Sequence, residues 1–203
     1  ASQSANIIKT GLLSTHSHPP LFFYLTDFSY SFFGYTTLAA RFIPLIAGTI
    51  LILVIYLIGT KLFNKNVGLA AAFFATLCNF MIKLTFTEHS SLIFFLSFFG
   101  VYTGLLYLDN NKLSYLILSS ILFGLSILTK YNGAFFLIAF GLFAIYHYKN
   151  KKAGVVTKER AKAFLIISAV VLILALPFLF FNYIIYQEKG LLDWQFAITL
   201  KKP

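Results

Sequence analysis

Charge is what this chain has least of. Asp, Glu, Lys and Arg make up 11% of its 203 residues, against roughly a quarter in an ordinary soluble domain. With 59% of its residues hydrophobic, it lacks the polar surface that a water-facing globule needs. Cysteine is nearly missing as well. Cys78 stands alone, which rules out an internal disulfide, and its place in an apolar run reads as packing. The sequence has no Gly-x-x-x-x-Gly-Lys-Ser/Thr loop for soluble nucleotides. It also has no pair of histidines at i, i+4 with a carboxylate between, so a zinc-protease site finds no support.

What charge there is leans one way, to a formal +10. The basic residues do not share a face, as a nucleic-acid surface would require. Lys149, Lys151, Lys152, Lys158, Arg160 and Lys162 instead crowd a single segment between apolar runs. Juxtamembrane basic loops mark the cytoplasmic side, where they meet anionic lipid. The expected partner is therefore membrane lipid, and nucleic acid is not expected.

Long apolar runs are abundant. A hydrocarbon span needs about 20 apolar residues, and the runs between breakers predict a multi-pass integral membrane protein. The expected architecture is all-α, a polytopic transmembrane helix bundle forming part of one domain over residues 1–203. Residues 1–37 make an outer loop with an interfacial helix, and 187–203 a truncated outer loop. About six spans lie within 38–186: Leu38–Thr60, Val67–Leu84, Ser90–Leu108, Leu113–Thr129, Ala134–Tyr148 and Phe164–Tyr186. The chain starts at Ala1 without Met or a signal pattern and closes on TLKKP, and it reads as a fragment of a longer protein. The aromatic stretch LFFYLTDFSYSFFGYTT before the first span predicts a helix lying in the outer interface, with Asp27 on its wet side. Gly100 and Gly104 form a GxxxG, and GLAAAFFA opens the second run; both are packing signals.

Tight connections force successive spans to alternate direction. With the basic segment inside, KLFNKN and DNNK also face the cytoplasm. His18, Arg41, Glu88, His89 and Lys130 then all fall at the outward end. Each has a structural reading beside a functional one. Arg41 and Lys130 can snorkel to headgroups, or hold a phosphate, for which the planar Arg fork is well suited. Glu88 and His89 can cap a helix start, or the carboxylate can take a proton from a hydroxyl. His18 precedes Pro19-Pro20, which hold it on a stiff corner; His16 lacks that rigidity and reads as surface. Tyr131 and Asn132 add hydrogen-bonding capacity beside Lys130, and Gly133 permits a close approach.

HPPLFFYL, AARFIPLIAGTILILVIYLIGTKLF and GLSILTKYNGAFFLI together resemble the polyprenyl-phosphate-sugar glycosyltransferases of the GT-C fold. The likeness is strongest to the dolichyl-phosphate-mannose protein mannosyltransferases and the bacterial aminoarabinose transferases. It runs through nearly the whole chain in order and spacing. The resemblance implies an inverting membrane enzyme with its active site on the extracytoplasmic face. Such an enzyme moves a sugar from a polyprenyl-phosphate-linked donor to a protein, lipid or glycan acceptor. It assigns His18, Arg41, Lys130 and Tyr131 to the donor phosphate, and Glu88 or the adjacent His89 to catalysis. The family's first acidic residue would lie upstream of Ala1, so this fragment is expected to be inactive alone. Family members commonly carry aspartate where this chain reads TEHS. The lipid-linked sugar is the one co-substrate implied, and use of a divalent metal stays open because these residues form no recognisable coordination set. A transporter or lipid flippase, and a noncatalytic membrane subunit, remain the alternatives.

Overall fold

A computed structural model describes residues 19–79, 81–83, 89–151 and 158–189. Among the described residues the chain is helical, with no strand. The helices are α1 (Leu21–Phe33), α2 (Thr37–Leu62), α3 (Lys65–Leu77), α4 (His89–Asn110), α5 (Leu113–Thr129), α6 (Gly133–Lys151) and α7 (Lys158–Lys189). By length and composition, α2 and α4 can each cross a bilayer, and shorter apolar helical stretches lie in α3, α5, α6 and α7.

Local chemistry sets the first boundaries. Pro20, whose ring fixes φ and which has no N–H to satisfy, sits just before α1. Pro19 beside it is fully buried. Gly34 ends α1 with φ +65°, a conformation that costs glycine little. The chain reverses there, and the Thr36 side chain accepts a hydrogen bond from the Ala39 N–H at 3.2 Å to start α2. Ser29 of α1 donates to the Ala39 carbonyl at 2.8 Å, which fastens the first helix to the first turn of the second.

Glycine and serine set how closely the longer helices approach. A Cβ on Gly59 would lie 2.9 Å from the Gly68 Cα, so α2 and α3 meet backbone to backbone. Gly100 faces the Phe123 ring, with a Cβ there 3.3 Å from three ring atoms, and Gly104 leaves room for the Phe140 ring. Phe123 is fully buried in a cluster with Leu105 and Phe140. Hydroxyls bridge the same contacts: Ser97 and Ser126 are 2.7 Å apart, and Ser119 donates to the Gly100 carbonyl at 2.8 Å. Small residues and interhelical hydrogen bonds of this kind replace the hydrophobic effect as the glue between helices in lipid. The expected role of the glycine pair is thus the observed one.

The directions of the helices follow from one contact and two short connections. Lys61 Nζ lies 2.6 Å from Asp109 Oδ2, joining the last turns of α2 and α4. The two helices are therefore parallel, and their starts share the opposite end of the bundle. The connections from α4 to α5 and from α5 to α6 are two and three residues long, which makes those neighbours antiparallel. Asn111, in the first of them, has φ 54°, a conformation Asn tolerates better than most residues.

Two expected boundaries differ. The run Val67–Leu84 is not one continuous helix: α3 closes at Leu77, where Cys78 adopts extended backbone with ψ 113°. Asn79 follows it, a residue whose side chain competes with helical hydrogen bonding. The basic segment is not all loop either. Lys158, Arg160 and Lys162 belong to α7, whose 32 residues reach about 48 Å at 1.5 Å per residue, longer than a hydrocarbon core of about 30 Å.

Candidate functional site

Arg41, His89, Lys130 and Tyr131 come from α2, α4 and the turn after α5, and all lie toward the same end of the bundle. Lys61 and Asp109 occupy the other end. His18 and Glu88 fall outside the described residues.

Arg41 stands on the second turn of α2 and is exposed. One turn on, Pro44 is buried inside the helix. Proline cannot donate to the carbonyl four residues back, so the ladder is interrupted just beneath Arg41. Lys130 ends α5 in extended conformation (φ −164°, ψ 140°), with its backbone N–H donating to the Ser126 carbonyl. It is half-buried.

The turn carrying Lys130 is held by glycine. A Cβ on Gly133 would lie 2.5 Å from Ser126 Oγ and 2.7 Å from the Ser126 carbonyl carbon. The start of α6 therefore rests directly on the last turn of α5, and the Ser126–Ser97 hydrogen bond passes that position on to α4. Tyr131 is half-buried, with its ring centroid 6.0 Å from that of Phe178 on α7.

His89 opens α4 with its imidazole among phenylalanines. Its ring centroid is 4.4 Å from Phe22 and 5.4 Å from Phe23, and both phenylalanines are buried in a cluster with Ala47, Leu92, Leu96 and Leu122. The imidazole thus joins α1 to the start of α4 by packing, a role distinct from the capping and catalytic ones read from the sequence.

Asp27 requires a correction. It was expected on the wet side of α1. Instead both carboxylate oxygens are covered, and among the described residues neither has a hydrogen-bond partner. The exposed side of α1 is aromatic, with Phe28 63% and Phe32 70% exposed and their rings 4.9 Å apart. Polar and apolar positions are a poor guide here, because both sides of α1 carry aromatic rings, buried Phe22 and Phe23 on one and exposed Phe28 and Phe32 on the other. Burial raises the Asp27 carboxyl above the ordinary carboxylate range, and burial, with Asp27 nearby, raises the Tyr24 phenol.

The sequence model of one protein family, described as dolichyl-phosphate-mannose-protein mannosyltransferase, matches residues 17–181. The chain belongs to that family. Among curated proteins and solved structures none gives a significant match. The matched range takes in the His-Pro-Pro corner, Arg41, Glu88, His89 and the Lys130 turn. Membership in the mannosyltransferase family makes this a membrane glycosyltransferase chain of the kind that draws its sugar from a polyprenyl phosphate. It accords with the helical bundle and with the resemblance read from the motifs.

Proposed function

We propose that the chain carries the donor-phosphate side of an inverting glycosyltransferase whose site opens on the extracytoplasmic face, with a protein, lipid or glycan hydroxyl as acceptor. The gathering of Arg41 and Lys130 at one bundle end, inside the range matched by the family, is the observation that supports this reading best.

In the reaction, the acceptor oxygen attacks the anomeric carbon from the face opposite the phosphate. A new carbon–oxygen bond forms as the bond to the phosphate oxygen breaks, and that oxygen keeps the electron pair. The departing polyprenyl phosphate gains negative charge. Arg41, Lys130 and His18 stabilise that charge more in the transition state than in the ground state. Tyr131 adds a hydroxyl donor beside Lys130. Glu88 takes the acceptor's proton, and the transition state has oxocarbenium character. His89 is better suited to hold α1 against α4 than to exchange protons, because its ring is packed on Phe22 and Phe23.

A transporter places its polar residues near the bilayer midplane, in interrupted helices. Here they stand at helix starts and at a turn. The test is transfer from dolichyl phosphate mannose by the full-length protein in proteoliposomes. Arg41→Ala and Lys130→Ala should each lower the rate by about 10²–10³-fold, the usual cost of one charge-stabilising donor, with insertion unchanged. Wild-type rates in both variants would overturn the assignment.

A further inference from the structure

We infer that Asp27 is a further binding residue of this site, whose carboxylate accepts hydrogen bonds from hydroxyl groups of the donor sugar. The inference rests on the function proposed above and extends it to a residue that the family motifs do not mark.

The polar side chains of α1 can be taken in turn. Thr26 donates to the Phe22 carbonyl at 2.8 Å, Ser29 to the Ala39 carbonyl at 2.8 Å and Ser31 to the Phe28 carbonyl at 2.7 Å. A hydroxyl on a helix can always satisfy itself in this way, because it brings its own hydrogen. An ionised carboxylate accepts only, and a helix offers it no free N–H beyond its first turn. Asp27, on the second turn of α1, is covered at both oxygens and has no donor among the described residues. Burying such a group without donors is expensive, and each instance in a folded protein calls for a reason.

Position supplies the reason. Asp27 follows Phe23 by four residues, so the two share a helix face with Cβ atoms about 5–6 Å apart. The Phe23 ring is 5.4 Å from His89, and Glu88 immediately precedes His89 in the chain. Asp27 thus stands one turn along α1 from the phenylalanine that packs on the start of α4, the helix start at the end of the bundle that holds Arg41 and Lys130. Those cations suit the donor's phosphate; an acceptor-only carboxylate suits the hydroxyl-bearing ring attached to it. It cannot serve the phosphate itself, whose like charge it would repel. Phe28 and Phe32 of α1 are exposed, whereas both Asp27 oxygens are covered.

The test uses the full-length protein in proteoliposomes with dolichyl phosphate mannose and its monodeoxymannose analogues. Asp27→Ala and Asp27→Asn should raise the donor KM about tenfold or more while kcat changes less than threefold. The thermal midpoint should stay level or rise, since an unsatisfied buried charge is gone. One deoxy analogue should bind the wild type as poorly as the natural donor binds Asp27→Ala, and should lose nothing further in that variant. Unchanged KM in both variants, or a deoxy penalty that persists in Asp27→Ala, would overturn the inference. If Arg41→Ala still lowers transfer by about 10²–10³-fold in that case, the proposed function stands and only the role of Asp27 fails.

Discussion

The imidazole of His89 lies 4.4 Å, centroid to centroid, from the ring of Phe22. Together with the Phe23 contact, that pair links the aromatic helix α1 to the start of α4. On the function proposed above, His89 serves as the anchor and Glu88 as the proton acceptor.

The first prediction follows from that division. His89→Phe keeps an aromatic ring between α1 and α4 and should retain transfer within about tenfold, whereas Glu88→Gln should lower kcat by about 10²–10⁴-fold, the usual contribution of a general base. Donor KM should hardly change in Glu88→Gln. Steady-state kinetics on both variants decides; equal losses would return His89 to the chemistry.

The turn at Lys130 gives a second. Gly133→Ala introduces a Cβ 2.5 Å from Ser126 Oγ, which the α5–α6 corner cannot absorb without moving. Overpacking of this sort costs about 1–3 kcal/mol. The variant should lose stability by that amount and bind donor more weakly, because Lys130 moves with the corner. A Gly133→Ala protein of normal stability and normal donor KM would show that the corner does not position Lys130.

At the other end, the Lys61–Asp109 pair serves as a control. Its side chains are 30% and 39% exposed, and exposed ion pairs contribute about 0–1 kcal/mol. Asp109→Asn should shift the unfolding midpoint slightly and leave transfer at the wild-type rate. Loss of transfer there would mean that the chemistry is not confined to the end holding Arg41.

Much of the fold was legible because apolar runs set helix length directly. Leu113–Thr129 has the same ends in sequence and structure, and the first and third runs differ from α2 and α4 by two residues at most at each end. The glycine pair at 100 and 104 was readable as packing because lipid leaves few other ways to bring helices together. The break at Cys78 was hidden, since uniform hydrophobicity carries no mark where a backbone turns aside. The Ser97–Ser126 and Lys61–Asp109 pairs were equally hidden: each joins residues far apart in sequence, and nothing in either segment names its partner. Arg41 and Lys130 could be placed at one end from span alternation alone. The covered Asp27 could not, because burial of a side chain is made by tertiary packing that no pattern within α1 spells out.

Asp27 also predicts a pH dependence. Burial holds its carboxyl above the usual range, so the folded chain binds that proton more tightly than the unfolded chain does. The stability this provides is fully present below the ordinary Asp pKa of about 3.9 and is lost as pH rises through the folded-state value. The stability of wild type minus that of Asp27→Asn, followed upward from acid pH in thermal unfolding scans, should therefore fall. A difference that stayed flat or rose with pH would contradict the covered, donor-poor setting of the carboxylate.

The most direct measurement is labelling of the cationic end from outside the membrane. In a Cys78→Ser background of the full-length protein, Arg41→Cys and Lys130→Cys are treated with a membrane-impermeant maleimide in intact cells or right-side-out vesicles, with and without dolichyl phosphate. Both positions should react from the extracytoplasmic side, and the lipid phosphate should protect both. Reaction only after permeabilisation, or reaction that the lipid phosphate leaves unchanged at both positions, would contradict a shared phosphate site on that face.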